Sequence, residues 1–126
     1  MPGQPDAMQH IADQVRGALE SADLAAYAHL LDPDVRWGAP GDRTFGCQNR
    51  NQVLSWYQRG HDAGVRAEVT ETVVSGDRIL VGLRVAGRAD DDEPYRWQVL
   101  TVRDGLVVDI AGYDNRAEAA DAAGVG

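Results

Sequence analysis

The sequence predicts an α+β chain: three N-terminal helices packed on a curved antiparallel sheet, forming a cone with an apolar cavity. Three observations lead there. Met8, Ile11, Val15, Ala18 and Leu19 recur at helical spacing. After Gly64 the apolar period drops to two, the period of a strand. Near the C-terminal end, Asp104-Gly105 separates two β-rich runs, the strongest short-range hairpin signal because both residues tolerate positive φ. A sheet that curls around a helix leaves a mouth where small ligands bind.

Met1 to Pro5 reads as a loose end, and Asp6 as the N-cap of the first helix. Ser21-Ala22-Asp23 breaks that helix and caps a second, whose apolar face is Leu24, Tyr27, Ala28 and Leu31. Asp32-Pro33 ends it, since a residue before proline disfavours helix. Val35, Trp37 and Ala39 alternate as a short strand, and Gly38 to Gly46 reads as a charged, glycine-rich loop. Asn49 or Asn51 caps a third helix carrying Val53, Trp56, Tyr57 and Gly60 on one side. Four long strands follow: Val65 to Val74, Ile79 to Ala86, Tyr95 to Arg103 and Leu106 to Tyr113. Asp90-Asp91-Asp92-Glu93-Pro94 reads as a solvated turn, without the alternating ligands and central glycine of a calcium loop. One domain, 6–118, is expected, with flexible ends at 1–5 and 119–126.

Composition narrows the function classes. The 126 residues suffice for one core. A net charge of −8 argues against a nucleic-acid partner, because phosphate binding needs cations to replace counterions. All twelve basic side chains are arginine, and a chain without lysine has neither a P-loop nor a Schiff-base nucleophile. The lone Cys47 has no partner for an internal disulfide and fits a reducing cytoplasm. No apolar run spans a membrane, and no signal peptide is evident. His10, His29 and His61 share no ligand spacing, so no metal and no cofactor are expected.

Three stretches carry a family likeness: Ser21 to Trp37, Val53 to Gly60, and Val102-Arg-Asp-Gly-Leu-Val-Val-Asp-Ile110. In their order and spacing they resemble the nuclear transport factor 2-like superfamily, which includes SnoaL-like polyketide cyclases and ketosteroid isomerases. The resemblance implies a homodimer packed sheet to sheet. It does not bring the isomerase machinery with it. The base Asp before a proline corresponds to Ala39, the first-helix oxyanion Tyr falls near Val15, and the oxyanion Asp falls at Gln98; only the third-helix Tyr matches, as Tyr57. SnoaL-like cyclases use a His and an Asp on the last two strands. Here the last strand offers Asp109 and Asp114, and its partner strand has no His.

Strand parity selects the remaining candidates. If Gln98 faces the cavity, so do Arg96, Leu100 and Val102, and on the last strand Val108, Ile110, Gly112 and Asp114. Asp114 is then the candidate general base, desolvated by an apolar wall, or else one half of a salt bridge to Arg96 or Arg116. Gln98 either donates to a substrate oxygen or is a core amide. Tyr57 is either a ligand contact or a hydrogen-bonded core tyrosine. Trp37 and Trp56 form walls, Arg96 could take a carboxylate, His61 could rim the mouth, and Leu100 and Ile110 complete the apolar lining. Cys47 lies near an Asn and two Arg, which could lower its pKa, but a catalytic thiol would need a base that the sequence does not place, and a small buried side chain is the favoured reading. The opposite strand face, with Tyr95, Trp97, Val99, Thr101, Val107, Ala111 and Tyr113, is too apolar for water and predicts the dimer interface. The function expected is acid–base chemistry of the isomerase, cyclase or hydrolase type on a small hydrophobic molecule. The alternative is a non-catalytic ligand-binding or interaction module.

Overall fold

The computed structural model describes residues 4–87 and 95–125. The acidic run Asp90 to Pro94 lies outside the described residues, as does most of the segment before Pro5. Two helices, α1 (Gln4–Ser21) and α2 (Leu24–Ala28), precede the first strand. Then come β1 (Leu31–Ala39), β2 (Asp42–Cys47), α3 (Arg50–Asp62), β3 (Arg66–Ser75), β4 (Arg78–Ala86), β5 (Tyr95–Arg103), β6 (Leu106–Tyr113) and α4 (Arg116–Ala123).

The α+β class is found, but the cone is not. Only two helices are N-terminal, because α3 enters after a hairpin where the sequence predicts a loop. The six strands form one open sheet in the order β2-β1-β6-β5-β4-β3. It is mixed rather than antiparallel, since β1 runs parallel to β6. The β1–β2 hairpin accounts for the helix count, and the pairing of β1 with β6 for the mixed sheet. β2 forms one edge and β3 the other, so the sheet stays open.

Local chemistry accounts for the joints. Asp23 caps α2, its carboxylate accepting from the Ala26 N–H at 3.0 Å. The α2 helix stops at Ala28, so Leu31 begins β1 instead of ending a helical face. Between Leu31 and Arg36 the register against β6 shifts. Pro33, which has no N–H for a ladder, sits in that irregularity, and the Asp32 carboxylate accepts from Asp34 N–H at 2.8 Å. Asn49 caps α3. Asp104 and Gly105 both have positive φ, 54° and 81°, as the hairpin signal requires.

The main core lies between α1 and the inner sheet face. Ala12, Val15, Ala18 and Leu19 meet Ile79, Val81, Leu100 and Ile110. The parity expected on β6 fails at one point. A register shift between Thr101 and Val102 places Val107, not Val108, opposite Val102 in this core. A bulge adds one residue to a strand and so reverses every face beyond it.

The outer face has its own cover. Residues 119–126 were expected to fray, yet α4 seats Ala119, Ala120 and Ala123 on Leu80 and Val99. Asn115 caps α4. Arg116 grips Glu71 through two nitrogens at 2.9–3.1 Å, and Arg78 donates to the Ala122 carbonyl. Alanine suits the place, because its small side chain lets the helix backbone approach the sheet.

Candidate functional site

A cavity of about 1240 Å³ opens between the inner sheet face, the end of α1 and α3. Each element supplies it for a local reason. Trp37 arrives on β1, held by the β2 pairing opposite Cys47. Trp56, Tyr57, Arg59 and His61 come from the C-terminal half of α3. Arg96 and Gln98 share a face of β5, and Asp114 follows β6 on the same side as Gly112, the cross-strand neighbour of Gln98.

The aromatic residues form a ladder. Tyr27, fully buried, meets Tyr57 edge to face at 5.4 Å. Tyr57 stacks on Trp37 at 5.0 Å, and Trp37 meets Trp56 edge to face at 6.0 Å. These separations lie in the favourable range for ring pairs. The ladder ends at the mouth, where Trp56 is 54% exposed and the Arg59 guanidinium lies 5.9 Å from its ring. Gln98 is the one buried polar residue among the described residues. Its Nε2 donates to the Tyr57 hydroxyl at 3.2 Å, while its Oε1 is buried without a partner. Tyr57 accepts that bond, so its own hydroxyl hydrogen is free to donate.

Burial raises the pKa of Tyr57, outweighing the lowering by the hydrogen bond from Gln98 and by the nearby Tyr27 hydroxyl. Burial also holds Tyr27 well above its ordinary value, aided by Tyr57. The Tyr27 hydroxyl faces Tyr57 but falls short of a well-formed hydrogen bond. Both hydroxyls therefore stay protonated at neutral pH. The unfolded chain loses these protons from about pH 10, so this part of the stability is present below pH 10 and is lost as pH rises beyond it. Tyr27→Phe removes an ill-satisfied buried hydroxyl at little cost in packing. The variant is expected to match or exceed the parent at neutral pH, by up to about 1 kcal/mol, and to lose less stability in alkali. Thermal melts at the two pH values check this; a Tm several degrees lower at neutral pH would show that the hydroxyl is well bonded.

The structure brings seven of the nine expected residues to one cavity: Asp114, Gln98, Tyr57, Trp37, Trp56, Arg96 and His61 all line it. Leu100 and Ile110 do not; both are fully buried in the core. Asp114 is exposed at the rim rather than enclosed by apolar walls. No ion pair or hydrogen bond engages it among the described residues, and Arg116 spends its charge on Glu71. His61 is half-buried, with its Nδ1 unpartnered among the described residues. Cys47 lines the cavity too, packed against the core, and burial pushes its thiol up against the opposing pull of Arg59, in keeping with a packed side chain rather than an activated thiol. Tyr27 was missed as part of this network. A tyrosine where a helix face calls for a simple apolar residue was the available signal. No cluster of metal-ligating side chains occurs among the described residues.

Comparison with known proteins settles the lineage. The family model for the SnoaL-like domain matches residues 11–110. The chain belongs to the SnoaL-like domain family. Solved structures agree on the fold. A Sinorhizobium meliloti protein provisionally named a polyketide cyclase aligns with a TM-score of 0.69 at 24% identity, covering 85% of this chain and 98% of that one. A Kribbella flavida protein provisionally named a ketosteroid isomerase aligns at 0.71 and 21%, covering 85% and 76%. A Mycobacterium tuberculosis epoxide hydrolase aligns at 0.66 and 16%, covering 89% and 84%. Such identities establish the shared fold alone, and this fold carries more than one chemistry. No curated protein sequence matches the chain.

Proposed function

We propose that this SnoaL-like chain binds a small hydrophobic molecule in its cavity and acts on it by acid–base chemistry of the isomerase, cyclase or hydrolase type. The observation that carries this reading is the buried Gln98–Tyr57 pair set in an otherwise aromatic wall. A ligand oxygen seated there meets the free Tyr57 O–H. Asp114, exposed at the rim, takes a proton from the substrate. Charge developing on the anchored oxygen is then met by the Tyr57 hydroxyl, which is worth most where water is excluded.

A second reading, binding without turnover, is favoured by the exposure of Asp114. One experiment separates the two. The protein is screened by thermal shift against small apolar carbonyl compounds, polyketide fragments and steroids, and each hit is followed for conversion. A ligand of the folded state raises Tm by mass action. Asp114→Asn is expected to keep the shift and lose turnover by about 100-fold or more. A shift with no conversion leaves the binding reading standing, and no shift across the library overturns both.

The proposal extends to a homodimer through the part of the outer face that α4 leaves open. There Tyr95 is 47% exposed and stacks on Trp97 at 6.5 Å. Light scattering at micromolar concentration should give twice the chain mass of 13.6 kDa; a monomer alone would refute it.

A further inference from the structure

The cavity mouth runs against the charge of the protein. Three of the twelve basic residues line the cavity, Arg59, Arg66 and Arg96, against only two of the twenty acidic ones, Glu20 and Asp114. Glu20 is already engaged, 3.7 Å from Arg16 and accepting the Val69 N–H at 3.2 Å. Arg66 is held by backbone carbonyls, donating to His61 at 3.0 Å and Val65 at 2.8 Å, which fixes its guanidinium without neutralising it. Arg59 has no ion pair or hydrogen bond among the described residues; its recorded stacking contact is the face of Trp56. Carboxylates are abundant in this chain, yet none of the described ones covers this guanidinium.

Position gives that charge its meaning. The aromatic ladder leads from the buried Tyr27 through Tyr57 and Trp37 to the exposed Trp56, and Arg59 stands at its outer end. Trp37 and Trp56 stand perpendicular and form a corner, so a flat apolar body seated there would stack on one ring and meet the other with its edge, covering exposed ring surface. Its outer end would arrive at a planar, permanently charged fork suited to a carboxylate. The Trp56 ring lies against one face of the guanidinium and leaves its donor edges open to an anion. We infer that the cavity is selective for an amphipathic carboxylate: a planar apolar body in the Trp37–Trp56 corner, with its acid group on Arg59. This rests on the small-molecule reading of the cavity and names the class of ligand; Arg59 is the specificity-determining residue.

Three probes with one ring system test it: 6-hydroxy-2-naphthoate, its methyl ester, and 2-naphthylmethylammonium. Binding of each is measured by calorimetry at low ionic strength to the full chain and to Arg59→Gln. The carboxylate is expected to bind the parent about tenfold more tightly than the ester, as a charge-assisted bond implies. In Arg59→Gln that advantage should fall to about twofold or less, with ester affinity nearly unchanged. Equal affinities in the parent, a preference for the ammonium probe, or an advantage that survives in Arg59→Gln would overturn the inference and leave the small-molecule reading intact. Binding of none of the three to the parent would overturn that reading, and this inference with it.

Discussion

Gly46→Ala unfolds the wall of the site. A Cβ at Gly46 would be driven into the backbone carbonyl of Trp37 and against the Cα of Gly38. Neither can swing aside as a side-chain tip would, so β2 must part from β1. That pairing is what presents Trp37 to Tyr57 and Trp56. A loss of about 3 kcal/mol is expected, or roughly 10 °C in Tm for a domain of this size. The near-ultraviolet circular dichroism of the stacked Trp37–Tyr57 pair should collapse with it. Gly17→Ala is the control, because nothing lies within 4 Å of a Cβ there, and alanine favours a helix interior. A Gly46→Ala protein that melts with the parent and keeps its aromatic signal would mean that β1 and β2 approach less closely than described.

Removing α4 has the second large effect. A chain ending at Asn115 lacks the alanines that cover Leu80 and Val99, and lacks the Arg116 grip on Glu71. Partial exposure of two large apolar side chains costs roughly 3 kcal/mol. The truncated protein should melt about 10 °C lower and bind a hydrophobic dye that the full chain excludes. If the two proteins melt together and neither binds dye, α4 does not hold the outer face, and the reading of this segment as a loose tail is restored.

These two results bear on the places where the sequence was hardest to read. Around Gly46, glycine, proline and charge signal a loop, and strand propensity is low. The hairpin forms because β1 offers an unpaired edge, and only a residue without a Cβ can lie so close to Trp37. Residues 116–123 are alanine-rich with almost no amphipathic bias, so no periodicity announced a packed helix. It packs because the outer sheet face is itself apolar, a fact recorded in the strands rather than in the helix. The face of β6 was misjudged beyond its bulge, since a register shift leaves no compositional trace.

What the sequence determined by itself is whatever depends on neighbours along the chain. The cap at Asp23, an asparagine cap for α3 at Asn49 or Asn51, the Asp104-Gly105 turn and the alternation of Ile79, Val81 and Leu83 follow from local conformational preference and period. What only the tertiary structure decided depends on groups far apart in sequence. The open sheet with its parallel β1–β6 pair, the meeting of Tyr27, Tyr57 and Gln98, the exposure of Asp114 and the uncovered Arg59 beside Trp56 are of this kind. The reason is that burial and charge pairing are set by packing between distant segments, and a carboxylate or guanidinium reads the same in sequence whether it ends up enclosed, paired or open to a ligand.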